Sequence, residues 1–198
     1  KHIRDSLKRS RPRDEVLGEE FGGQACYEGR QWVIDPIDGT KNFVHGSVDH
    51  GVMLAQLIHG ETVRAWIWQP QYGHMWCAER GAGVTCDGQA VTRDGFRIPV
   101  RAATTHEAYK IASPQVEWRM SKWCCAVDYP LICLGENDVT AYQHSHPWDH
   151  LPGALMVREL GGVVRTVDGA EYGPREMSGT LVVAADEDAY RVVAELLR

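Results

Sequence analysis

A series of strand-like stretches separated by short turns constrains the fold of this chain more than any other sequence feature. Residues 48–58 and 62–68 are rich in apolar and β-branched side chains, and only His59-Gly60-Glu61 separates them. A third stretch, residues 74–79, follows the turn at residues 69–73. Strands joined by turns this short pair with their neighbours along the chain. The sequence therefore predicts an antiparallel meander.

Helices are predicted between and after these strands. Apolar side chains at helical spacing predict helices at residues 2–9, 126–134, 151–160 and from 187 onward. Further short strands are predicted at residues 16–17, 31–34, 140–142, 163–167 and 181–184, with Pro36 ending the second of these. Residues 101–122 are polar and only weakly periodic. Strands interleaved with few helices indicate a layered α/β or α+β domain over residues 1–198.

The charge and hydropathy of the chain exclude some classes of partner. Its 21 Lys and Arg residues against 27 Asp and Glu residues give a net charge of -6, which disfavours binding to a nucleic-acid backbone. The sequence has no apolar run of about 18 residues that would span a bilayer. Residues 1–5 are charged and unlike a signal peptide. We expect a cytoplasmic protein that contacts neither nucleic acid nor membrane.

The six cysteines show no C-x-x-C spacing. Cys124 and Cys125 are adjacent, and that geometry suits a mutual disulfide poorly. We therefore expect reduced thiols that mainly fill the core.

Three acidic clusters follow the ends of predicted elements, where a scaffold presents side chains to a site. They are Glu19-Glu20, the run from Asp35 to Thr40, and Trp148-Asp149. Because Pro36 imposes an extended turn, Asp35 and Asp38 can converge with the Ile37 carbonyl between them. These are hard oxygen ligands, which favour Mg²⁺. The amides of Gly39 and Thr40 follow directly and could hold an anion.

Simpler roles for the same residues remain open at this point. Asp35 and Asp38 could be turn formers, Glu19 and Glu20 a solvated surface, and Asp149 a helix cap. His144, His146 and His150 flank Asp149 and could indicate zinc, but Pro147 interrupts their spacing and no cysteine accompanies them. We interpret these histidines as loop residues that line a substrate entrance.

Three motifs in this order resemble the inositol monophosphatase family. They are Leu17-Gly18-Glu19-Glu20, the run from Trp32 to Phe43, and Pro147-Trp148-Asp149-His150-Leu151-Pro152-Gly153-Ala154 with Glu159-Leu160-Gly161-Gly162. The resemblance covers most of residues 3–100 and 123–198. It implies an α-β-α-β-α sandwich like that of fructose-1,6-bisphosphatase. It also implies an Mg²⁺-dependent, lithium-sensitive phosphomonoesterase that forms a homodimer.

The resemblance also implies roles for individual residues. Glu19, Asp35 and the Ile37 carbonyl would hold one Mg²⁺ ion. Asp35, Asp38 and Asp149 would hold a second, and Glu19 a weaker third. The Thr40 hydroxyl would orient the attacking water, so that Thr40, Glu19 and Asp35 form the catalytic group. The phosphate would bind at Asp38, the Gly39 and Thr40 amides, and Asp149.

Two departures from the family pattern concern length. Family members have several dozen residues before the point that matches Lys1 here, and the stretch 101–122 is short against the family. We expect a single domain over residues 1–198 that lacks this N-terminal segment and part of the region near 101–122.

The substrate-binding segment also departs from the family pattern. Trp123 and Cys124 are bulkier than the usual residues around the sugar ring. Selectivity is expected to depend on Trp123, Cys124, Asp128 and the loop from Gln143 to His146. Trp123 could stack on an imidazole ring, and Asp128 could pair with an ammonium group.

Three functions follow from these observations. The first is hydrolysis of a small polyol or sugar phosphate, such as inositol monophosphate, by a metal-activated water. The second is hydrolysis of histidinol phosphate, because Gly18 to Gly23 and Gly39 to Phe43 also resemble that branch of the family. The third, of another class, is a catalytically silent binding protein with the same fold.

Overall fold

The computed structural model describes residues 2–20, 22–23, 28–105, 111–175 and 179–198. In these ranges the helices are α1 (His2–Ser10), α2 (Thr40–Val44), α3 (Cys125–Cys133), α4 (Pro147–Glu159) and α5 (Glu187–Leu197). The strands are β1 (Glu15–Gly18), β2 (Arg30–Asp38), β3 (Gly51–Ile58), β4 (Glu61–Gln69), β5 (His74–Glu79), β6 (Gly83–Cys86), β7 (Gln89–Ala90), β8 (Val100–Thr104), β9 (Val116–Met120), β10 (Val139–Tyr142), β11 (Val163–Thr166) and β12 (Leu181–Ala184).

The first sheet contains β1 to β7 in chain order. β1 is parallel to β2, and each later strand is antiparallel to the one before it. The predicted meander over β3, β4 and β5 is confirmed. The sheet also extends through β6 and β7, two short strands that are not predicted from the sequence.

The second sheet has the strand order β11-β12-β10-β8-β9. β10, β8 and β9 are parallel, whereas β12 is antiparallel to both of its neighbours. β8 and β9 lie almost entirely within the polar stretch 101–122, where no strand is predicted. Val100, Ala102 and Val116 are buried in an apolar cluster with side chains of β10, β12 and α5, which are distant in sequence.

Apolar packing arranges these elements in five layers. α1 packs on the outer face of the first sheet through Ile3 and Leu7. α3 and α4 lie between the two sheets, in a core that includes Met53 from the first sheet and Val183 from the second. α5 covers the far face of the second sheet through Val193. The expected α-β-α-β-α sandwich is confirmed.

Two predicted boundaries next to the acidic clusters are wrong. Pro36 does not end β2, because the strand continues to Asp38 across a shift in register. α4 begins at Pro147 instead of residue 151, because proline is tolerated in the first turn, where an N–H has no helical partner. Asp149 therefore lies inside the first turn of α4 and is not its N-cap.

Among the described residues the cysteines form no disulfide with one another. Cys124, Cys125 and Cys133 are buried, and Cys77 and Cys86 are partly buried. Cys26 lies outside the described residues. The thiols thus contribute to packing. Cys124 and Cys86 also contact carboxylates, those of Asp38 and Asp87 respectively.

Replacing Gly153 with alanine is expected to destabilise the fold by about 3 kcal/mol. A Cβ atom at Gly153 would lie 2.0 Å from the Tyr129 ring, where α4 crosses α3. Tyr129 is fully buried and has no room to move aside. Gly173 is the matched control, because a Cβ atom there meets nothing within 4 Å. Urea unfolding measures both variants, and equal stabilities would contradict the prediction.

Candidate active site

A bulge at the end of β2 brings two carboxylates to the same place. Asp35 pairs with Met53 and Asp38 with Gly51, so β2 has one more residue than β3 between these pairs. In a regular strand, residues three apart point to opposite faces, and an inserted residue re-aims the second side chain. Pro36, which cannot donate a ladder hydrogen bond, lies within the bulge. The convergence expected from the sequence therefore arises from a bulge in the strand, not from a turn after it.

The two carboxylates are buried and held by hydrogen bonds. Asp35 is 2% exposed, and its Oδ1 accepts a hydrogen bond from the Ile37 amide at 2.9 Å. Asp38 is 7% exposed, and its Oδ2 accepts from the Ala126 amide at 2.5 Å and from the Cys124 thiol at 3.0 Å. The start of α3 therefore fixes Asp38 from the far side of the site.

α4 supplies the third carboxylate. Asp149 follows Pro147 in the first turn, and its side chain points towards Asp35 and Asp38. One ligand oxygen from each of the three carboxylates lies within 4.8 Å of the other two. His144 lies beside this cluster, with its Nδ1 3.5 Å from Asp149 Oδ2, but burial lowers the pKa of His144, so the ring does not supply a compensating positive charge at neutral pH.

The electrostatics of this cluster favour a cation. Burial, followed by the charges of the neighbouring acids, raises the pKa of Asp35 to about 9 and that of Asp149 to about 8. Burial also raises the pKa of Asp38 to about 6, although the hydrogen bonds from Ala126 and Cys124 oppose this shift. Two buried acids and one partly buried acid that repel one another are destabilised as anions unless a cation lies between them. The donor set consists of hard oxygens, which suits Mg²⁺.

The other predicted metal and phosphate residues surround the same cavity. Glu19, Ile37, Gly39 and Thr40 line it together with the three aspartates, and its volume is about 390 Å³. The Thr40 hydroxyl donates a hydrogen bond to the Ile37 carbonyl at 2.9 Å. Gly39 has a φ of 76°, and a Cβ atom there would lie 2.9 Å from the Asp49 carbonyl oxygen. Glycine is therefore required where the chain turns from β2 into α2.

Trp123 and Cys124, which are predicted to contact the substrate, both line the cavity. Trp123 is 55% exposed, and Cys124 is buried with its thiol on Asp38. Trp123 has a φ of 56°, which places it on a sharp turn just before α3. An exposed indole beside the carboxylate cluster provides a surface on which a flat group can stack.

Asp128 and Gln143 do not occupy the expected positions. Asp128 has no exposed surface, and its carboxylate accepts hydrogen bonds from the Ser121 hydroxyl and from the Lys122 amide. It stabilises the turn before α3 and does not reach an ammonium group in the cavity, so that expectation is corrected. Gln143 is exposed but is not among the cavity-lining residues.

The three histidines also differ from the expectation. His150 belongs to α4, is fully buried, and has its Nδ1 3.0 Å from the Tyr129 hydroxyl, so it is not a loop residue at an entrance. His144 does line the cavity. The ring of His144 stacks on that of His146 with centroids 5.3 Å apart, and His146 stacks on Trp148 at 5.1 Å. A row of stacked rings therefore begins at the cavity and leads away from it.

Asn42 lines the cavity and holds its wall in place, a role that the sequence does not predict. Its side-chain amide donates to the Asp49 carbonyl at 2.9 Å and to the Lys122 carbonyl at 2.8 Å. It thereby ties α2 to the turn that carries Trp123. Asn42 lies within the motif that begins at Asp35, but its second partner is 80 residues away in sequence, and no local pattern reveals it.

Comparison with known families identifies the chain. A family model described as "Inositol monophosphatase family" matches residues 1–198. The chain belongs to the inositol monophosphatase family. The resemblance carried by its three motifs is therefore confirmed, and relatives in this family support a phosphomonoesterase.

Two curated relatives illustrate the range of this family. The chain is 32% identical over 183 residues to a histidinol-phosphatase of Mycobacterium tuberculosis, a match that covers 84% of this chain and 70% of the relative. It is 29% identical over 201 residues to the inositol-1-monophosphatase ImpA of Mycolicibacterium smegmatis, covering 92% of this chain and 71% of the relative. The two relatives differ in their named substrates.

A solved structure confirms the family fold. An IMPase/NADP phosphatase complexed with Mg²⁺ and phosphate superimposes with a TM-score of 0.88 at 19% sequence identity. The superposition covers 100% of this chain and 78% of that one.

Among the helices described for this inositol monophosphatase family member, none combines the length and apolar character that crossing a membrane requires.

Proposed function

We propose that this chain hydrolyses a small phosphate monoester with the help of Mg²⁺. The observation that carries the proposal is the convergence of Asp35, Asp38 and Asp149 on one point of a solvent-accessible cavity. Their mutual repulsion and hard oxygen atoms fit a divalent cation better than an empty pocket.

The proposed ligands follow from their position around the cavity. Asp35 and the Ile37 carbonyl would hold one ion with Glu19, and Asp38 and Asp149 would hold a second with Asp35. When bound, the metal ions supply Lewis-acid activation of a water molecule and neutralise phosphate charge. Occupancy by two or three ions, and inhibition by lithium, stay predictions.

Thr40 and Gly39 would act on the water and on the phosphate. The hydroxyl proton of Thr40 is committed to the Ile37 carbonyl, so the lone pairs of Thr40 Oγ1 stay free to accept a hydrogen bond from the attacking water. Accepting that bond would orient the water for in-line attack. The amides of Gly39 and Thr40 would donate to the phosphate oxygens, with Gly39 allowing the close approach.

The leading substrate class is a polyol or sugar phosphate such as inositol monophosphate, in line with the Mycolicibacterium smegmatis relative. Histidinol phosphate is the second candidate. It is favoured by the Mycobacterium tuberculosis relative and by the exposed Trp123 ring at the cavity. An imidazole ring can stack on indole, whereas a saturated polyol ring offers no π face.

A panel of phosphate monoesters, assayed with Mg²⁺ and then with EDTA, tests the proposal. Phosphate release from at least one monoester should require Mg²⁺ and stop on chelation. Absence of release from every member of a panel that includes inositol phosphate and histidinol phosphate would favour the silent binding protein. A homodimer, which the family implies, is checked by light scattering on the same sample.

Replacing Trp123 with alanine is expected to lower kcat/KM for histidinol phosphate at least tenfold relative to inositol phosphate. That ratio corresponds to about 1.4 kcal/mol of lost stacking. Trp68, a partly exposed tryptophan on β4 that does not line the cavity, is the matched control. Equal losses for both substrates in the Trp123 variant would show that the indole does not select between them.

A further inference from the structure

A second group of metal-ligating side chains lies on the first sheet, apart from the carboxylate cluster. His74 begins β5, Cys86 ends β6, and Asp87 follows in the turn to β7. One ligand atom from each, a ring nitrogen, a thiol sulfur and a carboxylate oxygen, lies within 4.8 Å of the other two. None of these three residues lines the carboxylate cavity.

The backbone holds this group rigidly. Cys86 pairs with Gln89 across the two-residue turn Asp87-Gly88, in which both residues have positive φ, 50° and 80°. This is the pattern of a tight hairpin turn. The Asp87 amide donates to the Met75 carbonyl at 2.9 Å, and the Met75 amide donates to Asp87 Oδ1 at 2.8 Å. Asp87 is therefore fixed against β5, next to His74.

The second carboxylate oxygen of Asp87 is shared by the other two ligands. Asp87 Oδ2 lies 2.8 Å from His74 Nδ1 and 3.8 Å from Cys86 Sγ. A tetrahedral ion with bonds of about 2.0–2.3 Å separates its ligand atoms by roughly 3.3–3.8 Å. The Cys86 to Asp87 separation already matches. His74 must withdraw by about half an ångström, and its half-exposed side chain is free to do so.

We propose that His74, Cys86 and Asp87 form a binding site for a borderline-soft divalent cation of the zinc type. The mixed nitrogen, sulfur and oxygen donors distinguish this site from the all-oxygen cluster, which suits Mg²⁺. Binding would release the proton of the Cys86 thiol, and His74 would bind through Nδ1 as the neutral tautomer with its proton on Nε2, leaving thiolate, neutral imidazole and carboxylate as ligands. Three protein ligands leave a fourth position for water.

Co²⁺ is a suitable probe, because a thiolate ligand gives it a strong near-ultraviolet charge-transfer absorption. The full chain, reduced with a phosphine, is titrated with Co²⁺ in excess Mg²⁺ to saturate the carboxylate cluster. The absorption should appear in the unmodified protein and disappear in Cys86→Ser. Cys77→Ser is the matched control, because Cys77 pairs with Thr85 and lies outside the three-residue group. The control should keep the absorption.

Two further variants separate this site from the carboxylate cluster. His74→Gln should weaken Co²⁺ binding at least tenfold. His74 is exposed, whereas Cys86 is partly buried, so this variant is less disruptive to folding than Cys86→Ser. Asp35→Asn combined with Asp149→Asn should leave the thiolate absorption intact. Absence of the absorption in the unmodified protein, its persistence in Cys86→Ser, or unchanged Co²⁺ affinity in His74→Gln would overturn the proposal. Loss of the absorption in the Asp35 and Asp149 variant would also overturn it.

Discussion

Replacing Asp38 with asparagine is expected to lower kcat/KM at least about a thousandfold, or about 4 kcal/mol in transition-state stabilisation. Asparagine keeps the shape of the side chain and can still accept hydrogen bonds from the Ala126 amide and the Cys124 thiol. The change therefore removes a charge from the proposed metal site with little change in structure. Steady-state phosphate release across an Mg²⁺ titration measures the effect.

The control for this variant is Asp94→Asn, which removes an equal charge from an exposed carboxylate outside the cavity. It should retain the activity of the unmodified protein. Near-normal turnover by the Asp38 variant in metal-free buffer would show that the carboxylate cluster does not hold a catalytic metal.

Without divalent cations, Asp35→Asn is expected to make the protein more stable than the unmodified chain, by a few kcal/mol at pH 8. The pKa of Asp35 is raised to about 9 by burial, so the folded state retains a proton that the unfolded chain releases near its ordinary value of 3.8. The contribution of protonated Asp35 to the free energy of unfolding is therefore fully present below about pH 4. It is lost as the pH rises towards 9. Asparagine does not ionise and avoids this loss.

Thermal melting in EDTA and in Mg²⁺ measures this effect. Since 1 kcal/mol corresponds to about 2–4 °C for a chain of this size, the variant should melt roughly 5–10 °C higher in EDTA at pH 8. Mg²⁺ should raise the melting temperature of the unmodified protein much more than that of the variant. If the variant and the unmodified protein melted identically in EDTA from pH 5 to pH 8, ionisation of Asp35 would not be the cause of the lost stability.

The sequence predicts the carboxylate cluster better than the pocket around it. Asp35 and Asp38 are separated by Pro36 and Ile37, and this local pattern predicts their convergence, although it predicts a turn where the structure has a bulge. Asp128 shows the limit of such patterns. An aspartate in the first turn of a helix either faces a ligand or satisfies the turn before it, and only the position of Ser121 decides.

The strands of the second sheet show a similar limit. Val100–Thr104 and Val116–Met120 pair in parallel with each other, and Val100–Thr104 pairs with Val139–Tyr142. Parallel partners are not joined by a short turn, so no turn residue signals them. The meander of the first sheet is predictable for the opposite reason, since its neighbours in space are its neighbours in sequence.

The residues of the carboxylate cluster come from β2 and α4, which are far apart in the sequence, with β3 to β10 between them. Bringing them together closes a long loop, and contacts between distant segments form slowly because the entropy of closure must be overcome first. Secondary structure in the meander should therefore return early during refolding, before any catalytic competence. The time course of recovery of Mg²⁺-dependent phosphate release would then measure the rate of the last long-range step of folding. Circular dichroism reports the return of secondary structure and would not detect that step.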